Sequence, residues 1–161
     1  MEPRMNAPKV APAAYQAMSS LEMYVRKSSR LEPSLLELVR LRASQINGCA
    51  YCIDMHSKDA RADGETEQRL YALNAWEETP FFTDRELAAL AWTEAITLIS
   101  QKQSMDSLYE EVRKRFTEEE IVNLTLAIVA INGWNRLAIG FRAVPGEYQP
   151  PAHKKAEGGH Q

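Results

Sequence analysis

Cysteine and histidine are scarce in this sequence, with two of the first and three of the second among 161 residues. Two cysteines cannot staple a chain of this length, so a disulfide scaffold is not how it holds together. No sign of charge dominates either. Nineteen Lys and Arg face 22 Asp and Glu, and a formal net charge of −3 offers no general footprint for nucleic acid. The one compact basic run, Arg113–Lys114–Arg115, falls at an expected helix end, where it complements the dipole. No apolar stretch is expected to reach the ~20 residues of a membrane span. The opening MEPRMNAPKVAPAAYQ lacks the apolar core of a secretory signal. There is no internal repeat. These absences predict a cytoplasmic protein with no membrane and no nucleic-acid partner. In that compartment a close cysteine pair points to catalysis or metal binding rather than to a lasting structural bridge.

What is present has ordinary globular proportions, 45% hydrophobic and 25% charged, in a length that suits one domain with its own core. Residues 1–10 are expected as a flexible N-terminal arm, 11–143 as a helical domain, and 144–161 as a flexible, Pro- and Gly-rich tail that carries His153 and His160.

Helical signals dominate the middle of the chain. Tyr15, Met18, Leu21 and Val25 recur at helical intervals over 12–27, and Pro33 opens a second helix that runs to Asn47–Gly48. A third is expected from about Cys49 to Asp63, stopping at Gly64, and a shorter one over 65–74. Two capping boxes, TDRE at 83–86 and TEEE at 117–120, open later helices, with one more starting near Ser104. No hairpin-bounded alternating stretch competes, so the fold class is all-α. The helix behind TEEE is apolar on nearly every face over 118–139, which places it at the centre of the domain or between subunits. On it Asn132, Asn135 and Arg136 form a polar set, for an interface, a cap or a substrate contact. Stripes of Met18, Leu21, Met23 and Tyr24, and of Leu90, Trp92, Ile96 and Ile99, read as core; Trp76 and Trp134 are open between core and pocket wall.

Both cysteines and the one histidine outside the tail lie in QINGCAYCIDMH, residues 45–56. Asn47–Gly48 is a chain-reversal signal, so Cys49 falls at the start of the following helix. Spacings of three and four then put Cys49, Cys52 and His56 on one face. A helix N-terminus favours anions, and a Cys-x-x-Cys thiol so placed falls from ~8.5 to ~7 or below. The turn suggests that Cys49 is the more exposed thiol, suited to exchange, and Cys52 the one suited to attack.

Glu37 lies eleven residues before Gly48 and His56 eight after it. At 1.5 Å per residue these are ~16 and ~12 Å along their axes, so an antiparallel hairpin would bring the two within about one turn. Glu37 could then orient His56, and His56 take a proton from Cys52. Equally, Glu37 could pair with Arg40 on an exposed helix face. Two reduced thiols packed in a core remain a third possibility. Zinc fits poorly, because three ligands within eight residues of one helix cannot readily surround an ion, and no second Cys/His pair exists. No metal and no bound cofactor are expected.

Glu37, eleven intervening residues, then Cys49-Ala-Tyr-Cys52-Ile-Asp-Met-His56 resembles the AhpD-like alkylhydroperoxidase group of the carboxymuconolactone decarboxylase family. GETEQRLYAL and AIVAINGWNRLAIGFR support the likeness, which covers roughly 20–143. The resemblance implies an all-helical domain with a helix-turn-helix hairpin carrying the Cys-x-x-Cys, assembled as a homo-oligomer (trimer or hexamer). It implies a hydroperoxide substrate, Cys49 and Cys52 as a dithiol/disulfide pair, Glu37 and His56 as a proton relay, and an external dithiol reductant of lipoyl type. The best-known members have a histidine just before the second cysteine; here Tyr51 stands there as an accessory candidate. A disulfide reductase for a partner protein, or a non-enzymatic redox-sensing oligomer, are the alternatives.

Overall fold

The computed structural model describes residues 1–101 and 104–151, and among these every regular element is helical. After a short α1 (Ala7–Val10) come α2 (Pro12–Ser28), α3 (Pro33–Asn47), α4 (Ala50–Ala62), α5 (Glu67–Ala72), α6 (Asp84–Thr97), α7 (Asp106–Val112) and α8 (Glu118–Phe141). Six residues of 3₁₀ helix, Leu73–Glu78, extend α5 over the end of the helix expected at 65–74. Both capping boxes form as read, Thr83 with Glu86 and Thr117 with Glu120. Each satisfies two of the amide donors that a helix start leaves unpaired.

α3 is the central element. Leu35, Leu36 and Val39 face α6 and α8 through a cluster with Val25, Trp92, Leu124 and Ile128. Leu38 and Leu41 face the other way, into a second cluster with Leu70, Leu73, Trp76 and Leu90. A helix buried on both sides has no room for an unpartnered charge, and Glu37 and Arg40 are nevertheless inside it, 3% and 2% exposed. Trp76 is settled as core, its indole donating to Glu94 at 2.6 Å.

α8 packs one side against α2, α3 and α6 through Leu124, Ile128 and Ile131, and leaves Val122, Val129 and Ile139 exposed. Where α2 crosses it, the Met18 methyl packs over Gly133, 2.8 Å from where a Cβ would stand. By length and composition α8 is apolar enough to cross a membrane, contrary to the expectation that no stretch reaches that length. Its core contacts, and the buried, hydrogen-bonded Asn123 and Asn135 on it, give the apolar character another use. The expected core stripes are also only half right: Met23, Tyr24 and Ile99 are exposed.

Where they are described, both chain ends make hydrogen bonds to the helical domain. Arg4 donates through its amide to Phe141 O (3.0 Å) and through Nη1 to Ile139 O (3.0 Å) and Gly140 O (2.8 Å), binding the first residues to the C-terminus of α8. Residues 144–151 lie against α4: Gly146 N–H donates to Asp54, Lys58 donates to the carbonyls of Gly146 and Tyr148, and Tyr148 OH donates to Asp59 at 2.6 Å. The rest of the tail, His153 and His160 included, lies outside the described residues.

Candidate active site

The turn between α3 and α4 is closed by Gly48 at φ +66°, a conformation glycine adopts without strain. Its N–H bonds Gln45 O and the Cys49 N–H bonds Ser44 O, the paired bonds that terminate a helix around a left-handed residue. Cys49 is therefore the residue that caps α4 rather than a member of its first turn. The two thiols lie against each other in a small cluster with Ala43, Ile131, Tyr51 and Trp134. Both are reduced and buried, 1% and 2% exposed. The expectation that the turn leaves Cys49 more accessible fails, because α8 covers the turn; Cys52 is the thiol that lines the adjacent cavity.

The pair shares its protons unequally. The Cys52 thiol donates to Cys49 and brings it down to about 7; burial opposes this, while the Tyr51 and Cys52 amides and the Asn135 side chain add to it. Cys52, as the donor of that hydrogen bond and by burial, is pushed up. The first thiolate thus forms at the head of α4, facing backbone N–H groups, where the helix end stabilises it.

Across the hairpin Glu37 Oε2 lies 2.8 Å from His56 Nδ1. The other carboxylate oxygen accepts from Arg40 Nη1 at 2.6 Å. Glu37 thus meets both of its candidate partners, and the ion pair with Arg40 is buried instead of exposed. Arg40 also donates to Glu22 at 2.8 Å, and Glu22 accepts from Arg26 at 2.8 Å. Burial pushes the Glu37 carboxyl up, but the hydrogen bond and charge of His56, then Arg40 and Arg26, outweigh it and hold the group below its ordinary value. Asp59, one turn beyond His56, completes a set of three whose donor atoms lie within 4.8 Å of one another. A cation could be held only by displacing partners already present, since Arg40 holds Glu37 and Tyr148 holds Asp59. The thiols do not belong to this set.

Asn135 is the residue whose place the sequence left open. It is fully buried, accepts from Asn47 at 2.9 Å, donates to Ser44 at 3.0 Å, and its side chain favours the ionised form of both sulfurs. Asn132 accepts from Asn47 at 3.0 Å, and Arg136 donates back to Asn132 at 2.9 Å, so this polar set fastens α8 to the reversing turn. Tyr51 is half-buried on the cavity wall, and burial, then the charges of Cys52, Asp54 and Cys49, push its phenol up. Trp134 is also on that wall, in ring contact with Tyr15. Arg26, Asp59 and Tyr148 are not legible as site residues in the sequence; only the position of Asp59 one turn beyond His56 on the same helix hints at it.

The carboxymuconolactone decarboxylase family model matches residues 12–95, and the chain belongs to that family. Its helical fold is that of AhpD-like proteins. YdfG of Bacillus subtilis, an uncharacterized protein, is 47% identical over 86% of this chain and 94% of its own length. A protein of unknown function from Agrobacterium tumefaciens, ATU0492, for which a role as the antioxidant defence protein AhpD has been suggested, superposes with a TM-score of 0.87 at 45% identity, covering 91% of this chain and all of that one. The debrominase Bmp8 shares the fold at a TM-score of 0.77 and 18% identity, over 86% of this chain and 74% of its own, so the architecture serves more than one chemistry.

Proposed function

We propose that this chain is a thiol-dependent peroxidase of alkylhydroperoxidase type, working in the cytoplasm through a Cys49–Cys52 dithiol/disulfide cycle. The observation that carries the reading is the Glu37–His56 pair at 2.8 Å, buried on the same hairpin as two adjoining thiols whose first ionisation falls to about 7. A pair that ionises once near neutral pH can present one thiolate to a peroxide, because the single remaining proton can pass from Cys52 to the Cys49 thiolate.

Cys52 attacks, because it is the sulfur on the cavity wall. As it does so its proton passes to the Cys49 thiolate or to the imidazole of His56, which follows it by one turn of α4. The S–O bond forms at the terminal oxygen of ROOH, the O–O bond breaks, and the departing alkoxide takes a proton to leave as ROH. Cys52 is then a sulfenic acid. Cys49 attacks its sulfur, the S–S bond forms, and the hydroxyl leaves as water with a proton. An external dithiol, of the lipoyl type the family resemblance suggests, returns the pair to two thiols through a mixed disulfide. Glu37 orients the His56 ring through their 2.8 Å contact. Tyr51 stands beside the reacting sulfur as a hydrogen-bond donor in place of a histidine.

The test is steady-state consumption of cumene hydroperoxide with dihydrolipoamide as donor. Wild-type protein should turn over many times, and Cys52→Ser should not turn over at all. A single stoichiometric oxidation without turnover in the wild type would instead identify a redox sensor, and turnover of protein disulfides alone a reductase.

A further inference from the structure

The cavity beside Cys52 has a volume of about 920 Å³, far more than a thiol needs to meet hydrogen peroxide. It is within the range, ~300–1,000 Å³, of sites that enclose whole organic ligands. Four aromatic side chains, Tyr15, Tyr51, Trp134 and Phe141, line it. Tyr15 and Trp134 hold each other at 5.9 Å between centroids, inclined at 54°, which fixes that wall. The charged groups that α2 brings to it, Glu22 and Arg26, are paired with each other at 2.8 Å, and the other charged lining residue, Glu2, is acidic, so the wall offers no unpaired cation to an anionic ligand. Leu137 and Ala138 on α8 continue the wall, and the N-terminal segment, residues 2, 3 and 5–8, closes one side of it; Arg4 is the fastening, its guanidinium and amide occupying three carbonyls at the C-terminus of α8. Those carbonyls belong to the last turn of α8 and carry the negative end of its dipole, Ile139 O also accepting from the Arg142 N–H at 3.3 Å, so a guanidinium is the side chain suited to hold there.

We infer that this cavity is the binding site for the body of a neutral, ring-bearing organic hydroperoxide, and that the Arg4-latched N-terminal segment is the wall that makes it selective. The hydroperoxide group reaches Cys52 while the ring lies among the aromatic side chains. This rests on the peroxidase reading for the reacting group only; the apolar site stands on its own walls.

Binding is measurable without turnover. Reduced, full-length protein is titrated with 2-phenyl-2-propanol, the alcohol that cumene hydroperoxide leaves, and followed by tryptophan fluorescence and calorimetry. The wild type should bind it saturably. Leu137→Trp, which fills the cavity, should weaken binding by about tenfold or more, and Arg4→Ala, which frees the wall without touching the core, by several-fold. In turnover, the wild type should favour cumene hydroperoxide over hydrogen peroxide, and Arg4→Ala should lose that preference through KM. Absence of saturable binding in the wild type, equal binding by Arg4→Ala, or tighter binding of a carboxylate such as benzoate would overturn the inference. If the alcohol binds but no hydroperoxide is consumed, the peroxidase reading falls and the site stands. If both peroxides are consumed equally and the alcohol does not bind, the site falls and the peroxidase reading stands.

Discussion

Glu37 and His56, nineteen residues apart, meet at 2.8 Å inside the α3–α4 hairpin, each almost wholly buried. A carboxylate in that position is affordable only because Arg40 at 2.6 Å, with Arg26 behind it at 3.9 Å, supplies compensating charge. The consequence is a pH dependence of folding. Glu37 has a folded pKa below its ordinary value, so its contribution is fully present above the unfolded value of ~4.3 and is lost as pH falls through the folded one. Denaturant midpoints measured from pH 7 to 3 should therefore fall on an acid limb, and Glu37→Gln should flatten that limb while lowering stability at neutral pH.

The same pair makes a kinetic prediction. General acid–base assistance is worth ~10²–10⁴ in rate, so Glu37→Gln and His56→Asn should each cut peroxide turnover by about two orders of magnitude or more. If they act as one unit, the double variant should lose little beyond the worse single one. Single-turnover oxidation of the four proteins across pH separates this from a purely structural role, because only a relay moves the pH profile of the surviving reaction.

The contact was foreseeable because helical rise converts sequence separation into distance once a turn is located, and Asn47–Gly48 locates it. The choice between His56 and Arg40 as partner of Glu37 was not foreseeable, because a carboxylate has two oxygens and the structure uses one for each. Other parts of the site depend on segments with no periodicity to read. Arg4 and Tyr148 act through contacts made by segments outside the helices they bind, and nothing in their local sequence says which helix they will meet. Cys49 was misjudged for a related reason: a turn is exposed only if no other element covers it, and α8 does.

For the thiols, ultraviolet absorbance of thiolate against pH should show a first ionisation near 7 assigned to Cys49. Cys52→Ala removes the hydrogen bond that contributes most to this, so the midpoint should rise toward the ordinary ~8.5. Oxidised wild-type protein should lose two hydrogens in mass as a monomeric chain, the signature of a Cys49–Cys52 disulfide. Disulfide-linked dimers as the main product would contradict it.

Assembly follows from surface rather than site. Val122 and Val129 lie two turns apart on one side of α8, and Met23 and Tyr24 are exposed on the neighbouring α2. Apolar groups clustered on paired helices are commonly covered by another subunit. Sedimentation at micromolar concentration should give a trimer or larger, and Val129→Lys should shift it to monomer without loss of helical circular dichroism. A monomeric wild type would remove the need for a covering subunit.

The last prediction concerns Tyr148, which brings the segment after α8 back to the acidic side of the relay. Its hydroxyl donates to Asp59 at 2.6 Å, and Asp59 in turn lies within 4.8 Å of the Glu37 and His56 donor atoms. Burial, then the hydrogen bond and charge of Asp59, push the phenol up. A group whose folded pKa is raised contributes stability that is complete below its unfolded value, ~10, and is lost as pH rises through the folded one. Tyr148→Phe deletes the hydrogen bond but keeps the ring, so at pH 7 it should cost about 1 kcal/mol, the modest figure suited to a half-buried contact. Above pH ~10 the two proteins should converge, because the wild type loses what the variant never had. Equilibrium unfolding in denaturant at pH 7, 9 and 11 decides it. A difference that stays constant across that range would mean that Tyr148 stabilises the segment by packing alone, with no part played by its bond to Asp59.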